Sequence, residues 1–178
     1  MTANSQDFRS EDRLKIQQAL YTYCRAIDRI QLDLLDQVFH RDALIDRANT
    51  TITLEQFVTN VSARHPTVPA AFHMISNVLI DFIDDDNAFV ETYCLALERH
   101  NDSEKGAVDR SVRLRLGDHF QRREGQWKIA RRLMIIDHEQ AIPVSLMGNA
   151  MFYSEDNKGA RDASDPVLAL RDQLLGVQ

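Results

Sequence analysis

Between Ser10 and Ile30 the apolar residues Leu14, Ile16, Ala19, Leu20, Tyr23, Ile27 and Ile30 recur at intervals of three or four. That spacing predicts a long amphipathic helix, with Ser10 as its N-cap ahead of the acidic Glu11 and Asp12. Leu32, Leu35, Val38 and Phe39 predict a second, shorter helix over 31–39 that ends near His40, Arg41 and Asp42. Ala43 to Asp46 reads as a brief strand. Thr53 and Gln56 have the spacing of a capping box, in which their side chains satisfy free backbone donors at a helix start. A third helix therefore runs from there to about Ala63.

After Pro66 and Pro69 the pattern changes. Residues 71–83 are rich in Phe, Ile, Val and Leu, read as a strand buried on both faces, and end at the acidic turn Asp84-Asp85-Asp86-Asn87. A strand returns over 89–97, and a third over 111–122 alternates Val112, Leu114 and Leu116 with Arg113 and Arg115. Glu124-Gly125-Gln126 then turns the chain into a strand over 127–137. Gly117 is the expected place for a bulge that bends the third strand. Helices first and a curved meander afterwards predict an α+β fold, with the helices closing one face of an antiparallel sheet around a ligand-sized hollow.

Composition narrows the classes. The 178 residues carry 27 acidic and 21 basic side chains, for a formal charge of −6. One acidic domain is expected, and nucleic acid is not, because phosphate binding needs concentrated positive charge. No apolar run approaches the ~18 residues of a membrane span, and the first residues lack an apolar signal core. Cys24 and Cys94 form no CxxC pair, so neither a disulfide framework nor a thiolate zinc site is implied, and a cytoplasmic location fits. His40, His65, His73, His100, His119 and His138 show no metal-binding spacing, and no Gly-rich phosphate loop or GxSxG elbow is present. No metal or cofactor is expected.

Several residues remain as candidates for chemistry. Asp28 sits at the edge of the first apolar stripe, and its neighbours Arg25 and Arg29 read equally as partners on a solvated surface. His73 lies early in an apolar strand, where a buried imidazole needs partners. Bonded to a carboxylate it is a general base, and bonded to a carbonyl it is a structural core residue. On the last strand, alternation puts Ala130, Arg132, Met134 and Ile136 on one face and Ile129, Arg131, Leu133 and Ile135 on the other. Either arginine is a fixed cation able to hold an anion or to form an ion pair. Tyr21, Tyr23 and Tyr93 are hydroxyl donors that serve equally well as core aromatics.

Four features occur in order: Tyr23-x4-Asp28, the DLLDQVFHRDA segment, Phe72-His73-x3-Asn77, and Trp127-Lys-Ile-x2-Arg132. Together they resemble the SnoaL-like group of the nuclear transport factor 2-like superfamily over residues 10–140. The resemblance implies a cone of helices wrapped by a strongly curved sheet, with a pocket inside. It places a disordered tail over 1–9 and a C-terminal extension over 141–178 that covers the pocket mouth or a neighbouring subunit. Family members include scytalone dehydratase, bile acid 7α-dehydratase, hexachlorocyclohexane dehydrochlorinase, polyketide cyclases and steroid isomerases. The implied activity is a cofactor-independent lyase or isomerase acting on a hydrophobic cyclic small molecule. Asp28 and His73 match the family's catalytic pair, Tyr23 matches a polar pocket position that varies within the family, and Arg132 matches an arginine on the last strand that can engage the leaving group. In the expected mechanism Tyr23 and Arg132 stabilise developing negative charge. Phe39, Phe57, Phe72, Met74, Tyr93 and Leu97 are the expected apolar lining. The second acidic or histidine member of some dehydratases has no counterpart among Thr92, Tyr93, Cys94 and Ala96. A homodimer or homotrimer through the outer sheet face is expected. Two alternatives stand beside the enzyme: the non-catalytic small subunit of an aromatic-ring-hydroxylating dioxygenase, and a small-molecule binding module.

Overall fold

The computed structural model describes residues 8–47, 49–102, 106–144 and 158–176. Helix α1 spans Ser10–Asp28 and buries Ile16, Ala19, Leu20, Tyr23, Cys24 and Ile27, the stripe set by its 3.6-residue period. Its cap is Arg9, in a left-handed conformation with no side-chain cap bond, so Ser10 is the first helical residue instead. Arg9 is fixed in place: its guanidinium lies 4.0 Å from the Phe82 ring centroid and donates to Asp12.

The second helix takes a different form. Leu32–Gln37 is a 3-10 helix, and Phe39 already opens strand β1, Phe39–Arg47. Ile30 at φ 53 redirects the chain after α1. Val38, Phe39 and His40 are all buried, and after an irregularity between Phe39 and Leu44 the strand alternates, burying Ala43 and Ile45. Strand β2, Thr50–Thr53, leads into α2, Leu54–Arg64. The capping box is formed: Gln56 N–H donates to Thr53 Oγ1 at 3.2 Å, and Thr53 N–H donates to Gln56 Oε1 at 3.0 Å.

Strands β3 (Ala70–Phe82), β4 (Asn87–Asp102), β5 (Gly106–Arg123) and β6 (Gln126–Pro143) form the expected antiparallel meander. The six-stranded sheet has the order β2-β1-β6-β5-β4-β3, and β1 runs parallel to β6. The sheet is curved and not closed, with α1 and α2 against its inner face. A short 3-10 turn, His65–Thr67, joins α2 to β3.

Gly117 keeps regular register with Glu91 and Leu133. The irregularities flank it, between Arg113 and Leu114 and between His119 and Phe120, and the extra residues are Asp137 and Ala130 on β6. Opposite Thr92, β3 has a further bulge around Asn77, whose φ is 48. These bulges increase local twist and bend the sheet where a glycine alone did not. β3 is an edge strand with one exposed face, which corrects the expectation of two-sided burial: Phe72 and Met74 are exposed while His73 points inward.

Helix α3, Pro166–Leu175, is capped by Asp165, which accepts from Val167 N–H at 3.1 Å. Met147, Phe152, Tyr153 and 154–157 of the C-terminal extension lie outside the described residues, as do 1–7 of the N-terminal tail.

Candidate active site

α1 delivers Asp28 to its last turn and β3 delivers His73 to the inner face opposite. Asp28 Oδ1 lies 2.7 Å from His73 Nδ1, and Asp28 Oδ2 accepts from the His73 backbone N–H at 2.9 Å. The carboxylate therefore holds both the ring and the backbone of one residue. Because an ionised carboxylate only accepts, the Nδ1 proton lies on the histidine, and in the neutral ring Nε2 is left as an acceptor. Nε2 has no hydrogen-bond partner among the described residues.

His73 lines a cavity of 240 Å³ together with Tyr23, Arg47, Phe57, His65 and Met134. A larger concavity of 620 Å³ lies on the outer face of the sheet around Gly117, away from the pair. The smaller cavity is the candidate site because it contains an available base. Burial pushes the Tyr23 hydroxyl up, with the Arg132 and Arg47 charges opposing that push. The hydroxyl has no partner among the described residues, which leaves it able to donate to a ligand.

Arg132 reaches the core in a different manner from simple alternation. With Ala130 inserted at the bulge, Ile129 and Arg132 both face inward, and Arg131 faces outward to bond Asp46 at 2.6 Å. Arg132 is 1% exposed and makes a bidentate pair with Asp118, itself 0% exposed, at 2.7 Å for both bonds. Burial works against the guanidinium charge, but Asp118 holds it firmly protonated. Only Nη1 lacks a partner, and the guanidinium carbon lies 4.2 Å from the Tyr23 ring centroid.

Of the six expected lining residues, Phe57 lines the cavity and Phe39 supports it from behind, edge-on to Tyr23 at 6.1 Å between centroids. Phe72, Met74, Tyr93 and Leu97 stand on the outer face of the sheet. Strand alternation is the reason: His73 and its cross-strand partner Ala96 point inward, so their neighbours point away.

Residues not anticipated from the sequence complete the surroundings. Arg64 forms a bidentate pair with Glu98 at 2.9 and 2.7 Å. Burial opposes the Glu98 charge, yet Arg64 and His100 hold that carboxyl down to about 2. Burial, with Arg64 and Arg161 beside it, pushes His65 down to about 4. Arg161, from the C-terminal segment, donates to the Ile27 and Asp28 carbonyls at 2.8 and 2.9 Å and to those of His65 and Val68 at 3.0 and 2.9 Å. It thereby caps the C-terminal end of α1 directly beneath the Asp28 carboxylate. Arg47 shares the inward period of Ala43 and Ile45, and Asp118 that of Leu114 and Leu116, so alternation alone could have found both. Nothing in the local sequence signals Arg161.

Cys24 and Cys94 are free and buried near the same carboxylate, and burial pushes their thiols up to about 12 and about 11. Neither supplies a thiolate at neutral pH. Among the described residues, no group of three His, Cys, Asp or Glu side chains could hold a metal ion, and no helix is long and apolar enough to cross a membrane.

Comparison with known proteins places the fold. An uncharacterized protein of Mycobacterium tuberculosis H37Rv, Rv2910c, is 34% identical over 132 residues, which are 68% of this chain and 83% of that protein. Among solved structures, hexachlorocyclohexane dehydrochlorinase LinA-type3 from Novosphingobium barchaimii LL02 superposes with a TM-score of 0.68 at 17% identity, over 79% of this chain and 97% of that one. A protein of Novosphingobium aromaticivorans DSM 12444, provisionally assigned as a scytalone dehydratase, gives a TM-score of 0.65 at 21% identity, over 84% and 99% of the two chains. At these identities the structural likeness speaks for the fold alone. The family model for the SnoaL-like domain matches residues 9–133, and with that match the chain belongs to the SnoaL-like domain family of the nuclear transport factor 2-like superfamily.

Proposed function

We propose that the protein is a cofactor-independent lyase or isomerase, with His73 as general base and Asp28 as the group that orients it. The carrying observation is the 2.7 Å contact from Asp28 Oδ1 to His73 Nδ1, which leaves Nε2 for the cavity. In this reading Nε2 takes a proton from a carbon next to a carbonyl or beside a carbon bearing a leaving group. The C–H electron pair becomes the new double bond while hydroxide or halide departs, or the proton is returned at another carbon in an isomerisation. Tyr23 donates its hydroxyl to the oxygen on which charge builds. Arg132, buried behind the cavity lining and paired with Asp118, touches no ligand there and acts through its stacking on the Tyr23 ring. Neighbours named as a dehydrochlorinase and a scytalone dehydratase are consistent with elimination chemistry. Two buried free thiols fit a reducing compartment such as the cytoplasm.

The test is an elimination assay on a panel of hexachlorocyclohexane, scytalone and cyclic β-hydroxy ketones, with His73→Ala as control. Turnover that disappears in the variant supports the reading. Turnover that survives unchanged in the variant overturns it.

The outer sheet face carries Phe72, Met74, Leu79, Phe89, Tyr93 and Leu97 in the open. Such a surface favours burial against another chain. We read it as the face of a homodimer or homotrimer. It also suits the second reading, a non-catalytic small subunit of a ring-hydroxylating dioxygenase, which predicts stable association with a large partner chain and no turnover alone. Size-exclusion chromatography with light scattering separates self-association from a monomer awaiting such a partner.

A further inference from the structure

Among the described residues, the candidate cavity holds a cation that no anion pairs with. Arg47, at the end of β1, lines the cavity beside Tyr23, Phe57 and Met134. Its guanidinium carbon lies 5.1 Å from the Phe57 ring centroid, and its Nε is buried without a hydrogen-bond partner. No carboxylate pairs with it among the described residues. The nearby charges are all committed elsewhere: Arg64 to Glu98, Asp28 to His73 and Arg132 to Asp118. Among the described residues, no Asp or Glu lines the cavity. A partly desolvated guanidinium with idle donors is costly, and a planar anion recovers both its charge and its hydrogen bonds.

We infer that the cavity takes an organic anion: a compact, single-ring carboxylate whose anionic group pairs with Arg47 while its carbon skeleton lies against Ile27, Phe57 and Val61 alongside His73. The 240 Å³ volume sets the size, being below the ~300–1,000 Å³ of pockets that hold drug-sized ligands. The carboxylate is a handle and not the activating group, because deprotonating the carbon beside an ionised carboxylate would create a second adjacent negative charge. A substrate of this class therefore carries a separate carbonyl or leaving group for His73 and Tyr23 to act on. That last step rests on the lyase reading above, whereas the anion preference does not.

Benzoate and benzamide, nearly identical in shape and different in charge, are the probes, and binding to the full chain is read by titration calorimetry at pH 7.5. The expected result is benzoate binding tighter than benzamide by about ten-fold or more. Arg47→Met should erase that preference while leaving benzamide binding, and Arg47→Lys should keep part of it, which guards against a variant that fails to fold. Equal binding of the two probes, no binding of benzoate, or a preference that survives in a folded Arg47→Met overturns the inference. Elimination and the benzoate preference are scored separately on the parent chain, which separates the two ideas. A lost preference with working elimination retires the anion site alone. An intact preference with no elimination, on the earlier panel and on cyclic β-hydroxy ketones bearing a ring carboxylate, retires the enzyme and leaves an anion-binding module.

Discussion

Asp28 grips His73 twice, through the imidazole Nδ1 at 2.7 Å and through the backbone N–H at 2.9 Å, so ring and strand are positioned by one carboxylate. Asp28→Asn keeps one acceptor oxygen and loses the other. The ring is then free to adopt the tautomer with its proton on Nε2, which cannot accept one from carbon. The ¹⁵N shifts of His73 should show Nδ1–H in the parent chain and a mixture in the variant. Turnover should fall in both Asp28→Asn and His73→Ala, in the latter by ~10²–10⁴-fold. Parent-like ¹⁵N shifts in Asp28→Asn would show that the carboxylate does not set the tautomer.

The Arg132 and Asp118 pair is buried, and removing one partner leaves an uncompensated charge. Asp118→Ala should cost ~3–5 kcal/mol in urea unfolding, and Arg132→Met alone a similar amount. The double variant Arg132→Met with Asp118→Leu should recover most of that loss. Additive losses in the double variant would mean that the two residues stabilise independently.

His65 gives a pH signature. Its folded-state value of about 4 lies below the ~6.5 of an unfolded histidine, so the unfolded chain takes up the proton first as pH falls. The contribution is complete above pH ~6.5 and is lost as pH approaches 4, on the order of 2 kcal/mol after allowing for solvent screening. Glu98, held at about 2, adds its own loss only below pH ~4.5. Denaturant midpoints across pH 4–7 should therefore decline more steeply for the parent chain than for His65→Gln.

Arg161 joins the C-terminal segment to the end of α1 through two backbone carbonyls and to the turn after α2 through two more. Arg161→Ala forfeits charged hydrogen bonds worth ~1.5–3 kcal/mol each in favourable cases, and amide exchange across residues 166–175 should accelerate. Unchanged exchange there would place the anchor elsewhere, with the Arg29 to Asp165 contact at 3.4 Å as the alternative.

The meander and the capping box at Thr53 are legible because each rests on local periodicity or local hydrogen bonding, whereas the face that His73 takes is not, because it depends on which side of the edge strand the helices cover. The second helix was misread because Leu32, Leu35, Val38 and Phe39 satisfy helical spacing while Phe39, Ala43 and Ile45 satisfy strand spacing, and tertiary pairing with β6 decides between them. Four lining residues fell on the wrong face because an apolar strand looks alike on both sides until its position at the sheet edge is known. The Arg161 clasp joins positions more than ninety residues apart, at a distance no local pattern encodes.

The bulge at Ala130 decides which of two consecutive arginines enters the core. Flattening it with Ala130 retained would put Arg131 inward and Arg132 outward, pulling one off Asp46 and the other off Asp118 together. Deleting Ala130 would instead leave both arginines on their present faces and remove the local bend. The place where the strand absorbs its extra residue is therefore under tighter constraint than the side chain that fills it.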